Sequence, residues 1–526
     1  MKTVYLYWKE CFVFLLDRNS ISKNLQVVIL VVLLTATLAI RLSTIGTPAI
    51  DWTDWKEIDH IEISKNFVKN GFNFFSPEVT WPAEPPRATA MELPVVPYAT
   101  ALLYKVFGFS VYTVRMVPCA SFLALMVFVF LLSRRELGPL VGCLSAMAAA
   151  VMPLYHPFGN ILFSEPTVFA FSAGAIYYFA CAIESNRRLH WALATLCFSM
   201  AVALKLEPLF LLLPIGFLSF KRYRFELKRY SKILISITIA MVLPILWYSY
   251  AYYLGKTSID VFGVLGGHDK LQTFTMLTDP FWYRNMFGRF RVDILGGRFG
   301  SVLFGVGLIS CITVRRGWLI FAYLIAVLCY FAIVAEGNID TTYRQMNAVA
   351  PASIFVAIGT MSLATLGFTL VSSAAKKVDF RKRNLQMTAL SAAFCILTVQ
   401  VAINYNKIFF KSTGYWLDEK VIAEQIKKFS KTGDKLIVLG GYTIHKGGND
   451  LSPVIYYYSG MQGWTLQKDQ WQLRSVEELI NKGAMLLGTF KMHREPASSS
   501  FVNQIRERYP VLFEDKDKDI ALYKLK

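Results

Sequence analysis

The sequence predicts a polytopic α-helical membrane protein that ends in an α/β domain. Three observations carry that prediction. Apolar runs near the ~20 residues needed to cross a bilayer recur as far as residue 404. Short basic hinges separate them, and beyond Asn404 the pattern changes to alternating helix and strand signals. At 55% hydrophobic residues over 526 positions, with a mean hydropathy of +0.42, most of the chain is too apolar for water.

The first stretch, "MKTVYLYWKECFVFLLDRNSISKN", has an apolar part too short to span and no small-residue cleavage site after it, so it reads as an amphipathic cytoplasmic lead-in. About eleven crossings follow, near 25–42, 112–133, 139–157, 162–183, 189–205, 207–220, 232–253, 300–314, 318–335, 348–371 and 385–403. The run at 207–220 is short for a full span, and half-insertion is its alternative. A net charge of +19 would suit nucleic acid in a soluble protein. Here the cations collect in alternate hinges: Arg134-Arg135, Arg187-Arg188, "KRYRFELKRYSK", Arg315-Arg316 and "KKVDFRKR". That is the cytoplasmic bias of a membrane protein, and no nucleic-acid partner is expected. With those hinges inside, 43–111, 254–299, 336–347 and everything after about 404 face outward. The chain divides accordingly into a membrane domain, 1–404, and an extracytoplasmic domain, 405–526, in an inner or plasma membrane. All eight cysteines lie in or beside apolar segments, which indicates no disulfide framework.

In the tail, "DEKVIAEQIKKF" has helical periodicity, "KLIVLGG" reads as a buried strand, and "SVEELINKGAMLLGTF" repeats helix then strand before "IALYKL". These predict an α/β fold of ~120 residues with a partly parallel sheet. "GGYTIHKGGND" lacks the glycine spacing and Lys-Ser/Thr of a nucleotide loop and reads as a glycine-rich turn, with His445 a loop histidine.

The outward segments carry an unusual set of charges at membrane depth: Asp51, Asp54, Glu57, Asp59 and Glu92 in the first loop, then Glu165, Lys205, Glu207, Glu336, Asp340 and Arg344. Charges there are costly, so a one-sided cluster from distant segments points to a site. Interfacial snorkelling, the bland alternative, explains arginines better than carboxylates. The stretch 53–70 reads as a helix capped by Thr53 or Asp54 and stopped at Gly71. At about 100° per residue, Trp55, Asp59, Glu62, Asn66 and Lys69 share a polar stripe, and Ile58, Ile61 and Val68 an apolar one. An interfacial helix with its apolar stripe in the headgroups would account for the amphipathicity alone. Asp59 is favoured over Glu57 as a general base, with Asp54 third. A carboxylate facing Lys205 or Arg344 suits transfer of a group from a phosphate-linked lipid; either cation has a structural alternative in Glu207 or Asp340. His60 adjoins Asp59, yet the six histidines are scattered without metal-ligand spacing, and neither metal nor other cofactor is expected.

These residues resemble the GT-C superfamily of membrane glycosyltransferases, in the branch of the protein O-mannosyltransferases and the lipid A aminoarabinose transferase. "ELPVVPYATALLYKVFGFSVYTVRMVPCA" looks like its Pro-rich stretch and following arginine, here Arg115, and "RRELG" like its first cytoplasmic hinge. "ILFSEPTVFAF" resembles the second acidic motif, with Glu165 as its acid. "MAVALKLEPLFLLLP" is similar to the segment whose lysine, here Lys205, would meet the lipid phosphate. "YRQMNAVAPASIFVAIG" looks like the late tyrosine and proline segment at the mouth of the site, with Tyr343 as its tyrosine. The resemblance implies an extracytoplasmic C-terminal domain and inverting transfer of a sugar from a polyprenyl-phosphate donor to an acceptor hydroxyl on protein, lipid or envelope glycan. Two departures stand out. The family's Asp-Glu pair aligns with Lys56-Glu57, while a Trp-Arg-x-x-Asp version resembles "WKEID" and moves the acid to Asp59. Leu93 stands where many relatives have a lysine, which leaves Lys205, Arg344 and Arg115 for the donor phosphate, unless Arg115 locks a helix end. Trp55, His60, Glu92, Glu207 and Tyr343 complete the expected pocket. A transporter or lipid-sugar flippase is the alternative, though the chain shows no convincing internal repeat and its charges sit toward span ends. A non-enzymatic anchor would leave the first-loop acids unexplained.

Overall fold

The structure is a computed structural model that describes residues 2–17, 20–51, 54–81, 83–264, 273–374, 382–408, 413–440, 453–466, 468–492 and 499–526. Thr53, the segment 441–450 with His445, and most of "KKVDFRKR" lie outside the described residues.

The lead-in is a helix, α1 (Lys2–Leu15), which buries Trp8, Cys11, Phe12 and Leu15, and whose Trp8 indole donates to the Ser362 carbonyl at 3.2 Å. Next come α2 (Lys23–Thr44), α3 (Asp54–Lys69), α4 (Val95–Phe107) and α5 (Val111–Leu137). Side-chain hydroxyls of Ser22 and Ser110 cap α2 and α5, satisfying N–H groups that a helix start leaves orphaned. Then follow α6 (Pro139–Ala150), α7 (Tyr155–Phe158), α8 (Glu165–Ser185), α9 (Arg188–Leu204), α10 (Leu212–Tyr223) and α11 (Ser231–Thr257). The membrane domain closes with α12 (Thr273–Leu277), α13 (Pro280–Arg289), α14 (Arg298–Val314), α15 (Trp318–Ile333), α16 (Ala335–Asp340), α17 (Val349–Ala374), α18 (Lys382–Ile403) and α19 (Tyr405–Ile408).

Each crossing expected from the sequence falls on a helix, but their lengths differ. Among the described residues six stretches are long and apolar enough to span: α2, α5, α8, Leu227–Thr257, Thr342–Ser372 and Leu385–Ile403. A seventh arises if Pro280–Ile294 and α14, bent by 97°, count as one. The 12 residues of α6 rise only about 18 Å, at 1.5 Å each, against a hydrocarbon thickness of ~30 Å. The short helix α6 is buried along nearly all of its length, whereas α9 and α15 keep exposed apolar side chains such as Leu196 and Ile325. Alternation along the chain gives the bundle two unlike ends: Arg134, Arg135, Arg187, Arg188, Arg315 and Arg316 lie at or beside helix ends at one, and α3, Glu165 and Lys205 lie at the other.

Close helix contact depends on small residues. An added Cβ at Gly307 in α14 would overlap the Phe355 carbonyl of α17, and one at Gly359 in α17 would overlap the Leu303 carbonyl of α14. Two glycines thus let the two backbones touch, the usual packing device where lipid supplies no hydrophobic drive between helices.

The tail folds as helices α20 (Leu417–Phe429), α21 (Pro453–Ser459), α22 (Leu473–Asn481) and α23 (Ser499–Arg508) with strands β1 (Lys435–Gly440), β2 (Gln462–Thr465), β3 (Ala484–Phe490), β4 (Val511–Asp515) and β5 (Ile520–Lys524). The sheet runs β2-β1-β3-β5-β4, with β1 parallel to both neighbours and β5 antiparallel to β3 and β4. Apolar clusters lie on its two faces, one around Ile437, Leu487 and Tyr523, the other around Leu436, Val438 and Ile455.

Candidate functional site

The helix α3 has protein on three sides. Ile61 enters the core of the bundle, Ile63 and Phe67 pack with Val79, Met91 and Val261 of the loops, and Ile58 packs with Trp416 and Val454 of the tail. This corrects the picture of an interfacial helix: Ile58 and Ile61 are buried in protein, not in headgroups. Trp55, expected in the pocket, packs in the same cluster as Ile58 and the tail.

One face of α3 presents Lys56 and, a turn later, His60. The Lys56 ammonium lies 3.6 Å from Glu92 Oε1 and 3.6 Å from Glu165 Oε1, with the rings of Phe163 and Tyr343 at 5.4 and 5.5 Å. Glu165 opens α8. From the opposite side comes Lys205, where α9 stops and the backbone turns extended at φ −160° and ψ 146°. That break aims its Nζ at Glu165 Oε1, 2.8 Å away, and brings it within 3.7 Å of Glu207 Oε1 and 5.3 Å of the Tyr343 ring. Glu207 in turn lies 3.9 Å from Arg344 Nε and accepts from the Asn347 amide at 3.2 Å. A Cβ at Gly337 would overlap Arg344 Nη1, so α16 lets the guanidinium rest against its backbone.

The result is an alternating chain, Glu92, Lys56, Glu165, Lys205, Glu207, Arg344, wrapped around Tyr343. With three cations and three carboxylates its formal charge is zero. Burial opposes charge on Lys56, but Glu165 and then Glu92 outweigh it and hold the ammonium above its ordinary pKa. Burial likewise opposes ionisation of Glu92; Lys56 and then Lys205 outweigh it, so its carboxyl falls below the usual range. His60 moves the other way: burial and then Lys56 lower its pKa, leaving a neutral ring near pH 7. Its Nδ1 sits 2.8 Å from the Lys56 carbonyl. A carbonyl only accepts, so Nδ1 carries the proton and Nε2 keeps a lone pair. Neither His60 Nε2 nor Glu92 Oε2 has a hydrogen-bond partner among the described residues.

Two expected site residues leave this cluster together. Arg115 donates through Nε and Nη2 to the two oxygens of Glu57 at 2.9 and 2.7 Å, and through Nη1 to the Ile45 and Thr47 carbonyls. Glu57 also accepts the Leu162 N–H at 2.9 Å. The contacts of Arg115 and Glu57 are thus with one another and with the Ile45, Thr47 and Leu162 backbone. Their joint work is to tie α3, α5 and the end of α2 into one corner. Asp59 is buried on α3 beyond Lys56, and Asp54 is the first residue of that helix. Leu93, where relatives carry a lysine, packs with Ala203 and Trp247 in an apolar cluster. Sequence reasoning passed over Lys56, Phe163, Gly337 and Asn347. For Lys56 a signal existed: it shares with His60 the i, i+4 spacing of a single helix face.

Among the described residues no group of His, Cys, Asp or Glu has the geometry to hold a metal ion.

Residues 86–248 match the family described as dolichyl-phosphate-mannose-protein mannosyltransferase. The whole chain is similar to the crystal structure of ArnT from Cupriavidus metallidurans bound to undecaprenyl phosphate, at 12% identity and a TM-score of 0.62, over 96% of this chain and 98% of that one. The apo state of the same protein matches at 11% identity and a TM-score of 0.60, over 94% and 97% of the two chains. The archaeal oligosaccharyltransferase AglB from Archaeoglobus fulgidus, in complex with an inhibitory peptide and a dolichol-phosphate, matches at 11% identity and a TM-score of 0.52, over 95% of this chain and 74% of that one. No curated protein matches the sequence.

Proposed function

We propose that this chain, which has the fold of the GT-C membrane glycosyltransferases, is itself such an enzyme and moves a sugar from a polyprenyl-phosphate carrier to an acceptor hydroxyl. The observation that most supports this is the convergence of Lys56, Lys205 and Arg344 in one buried, polar cluster at the end of the bundle opposite the basic hinges. By the positive-inside rule that end faces away from the cytoplasm, where the tail would also lie.

The chemistry follows from charge. The donor is a phosphodiester with one negative charge, and the leaving lipid phosphate is a monoester that gains a second as the sugar bond breaks. Lysines and an arginine held in place before the reaction stabilise that charge without reorganising, the term that dominates many catalysed transfers. They supply what a divalent ion supplies in other phosphate sites, so the reading requires no metal. A carboxylate receives the acceptor proton while the hydroxyl oxygen attacks the face of the anomeric carbon opposite the phosphate, which inverts its configuration.

The test uses the full chain in nanodiscs with polyprenyl-phosphate sugars and a panel of hydroxyl acceptors. Free lipid phosphate should appear together with glycosylated acceptor, and Lys205→Met should abolish both. Sugar lipid that changes leaflet without any transfer product would replace this reading by a flippase.

A further inference from the structure

We infer that Glu92 is the group that takes the acceptor proton, and that the first-loop helix contributes a cation, Lys56, where its alignment promised an acid. The inference rests on the transferase reading above and names the proton acceptor within it.

Three observations converge. Glu165 lies beside two ammonium groups, at 2.8 and 3.6 Å, and Glu207 lies beside two cations, Lys205 at 3.7 Å and Arg344 at 3.9 Å, and accepts from the Asn347 amide, so a proton on either would weaken two ion pairs. Among the described residues Glu92 has one cation within 4.0 Å, Lys56 at 3.6 Å from Oε1, a separation beyond hydrogen-bond length, with Lys205 acting on it from farther away. Its Oε2 is buried with no hydrogen-bond partner among the described residues. Second, the backbone carrying Glu92 is pinned on both sides: the Trp247 indole donates to the Met91 carbonyl at 3.0 Å, and the Leu93 N–H donates to the Ala203 carbonyl at 3.1 Å. A fixed carboxylate is what positioning of a proton acceptor requires. Third, the adjoining neutral His60 offers an open Nε2 as a second acceptor without adding charge.

The step balances. The acceptor O–H breaks and its proton goes to Glu92 Oε2; the acceptor oxygen bonds the anomeric carbon; the bond from that carbon to the phosphate oxygen breaks and its electron pair stays on the phosphate. Glu92 loses one negative charge as the lipid phosphate gains one. The pocket's total charge is the same before and after, and Lys56 is freed from Glu92 to face the new dianion.

A lipid phosphate monoester should therefore bind with uptake of a proton at Glu92. The groups around that carboxyl are Lys56 and His60 from α3, Lys205 after α9, Glu165 from α8 and Tyr248 from α11. The experiment is calorimetry of undecaprenyl phosphate binding to the full chain in nanodiscs, in buffers of differing ionisation heat near neutral pH, so that protons are counted. Wild type should take up about one proton beyond the lipid's own titration. Glu92→Gln should lose that uptake and bind about tenfold more tightly, while Glu92→Asp and Asp59→Asn keep it. Uptake that survives in Glu92→Gln, vanishes in Asp59→Asn, or is absent from wild type overturns the inference and leaves the transferase standing. Wild type that binds no lipid phosphate at all brings down both.

Discussion

At the residue scale, Arg115 shows how a conspicuous charge is assigned by its partners. It lies 58 residues from Glu57, and nothing in either local sequence announces the pair. Two parallel N–H···O bonds match the guanidinium fork to a carboxylate, and the remaining nitrogen caps two carbonyls where α2 ends. Both side chains are almost wholly buried. Removing one partner strands the other charge, which costs roughly 3–5 kcal/mol, whereas replacing both with apolar groups of like volume is near neutral. Arg115→Met and Glu57→Gln should therefore each lower the melting temperature of the detergent-purified chain, and the Arg115→Met, Glu57→Leu pair should recover most of the loss. A donor-phosphate role for Arg115 would show differently, with lipid-phosphate affinity lost at unchanged stability.

At the element scale, what the sequence disclosed and what it hid divide along one physical line. Apolar run length and periodicity are local quantities, and they disclosed the helices of the bundle and the alternating helices and strands of the tail. The candidate cluster was partly visible because Glu92, Glu165, Lys205, Glu207 and Arg344 are costly charges at or just outside membrane depth, whereas Tyr343 was legible only through the family resemblance. Pairing and helix length are not local. Lys205 ends α9 early through its extended backbone, and the partners of Lys56 arrive from α8 and from the segment before α4. Neither follows from counting hydrophobic residues. The approach of α14 to α17 belongs with these hidden features, because single glycines inside apolar runs carry no pattern of their own. Gly307→Ala or Gly359→Ala would drive a methyl into a backbone carbonyl and force the helices apart. The expected cost is about 1–3 kcal/mol, read as lower thermal stability; a substitution at Gly305, whose Cβ would meet open space, is the control.

At the scale of the whole molecule, the tail acts as the outer wall of the site's first helix. The loop before α3 is held by it at three points: Asp51 accepts from the Thr413 N–H and hydroxyl, the Ile50 carbonyl from the Trp416 N–H at 2.7 Å, and the Ala49 carbonyl from the Tyr458 hydroxyl at 3.3 Å. The loop after α3 is held as well, by the Ala83 N–H on the Gly463 carbonyl at 2.8 Å and by Glu84 with Lys482. Between these anchors Ile58 packs on Trp416 and Val454, on the helix that carries Lys56 and His60 to the cluster. An amphipathic helix of this length is not stable in isolation and takes its order from what it packs against. Trimming that wall should thus disturb the cluster without touching any of its charges. Trp416→Ala empties a large buried site, at roughly 3–5 kcal/mol, and the resulting looseness of α3 should weaken undecaprenyl phosphate binding in the same step. Faster hydrogen exchange across Asp54–Lys69, with exchange in α8 unchanged, would locate the effect in that helix. If the variant, or a chain cut after Ile403, kept full affinity for lipid phosphate, the tail would be a separate module, and the order of α3 would have to come from the bundle alone.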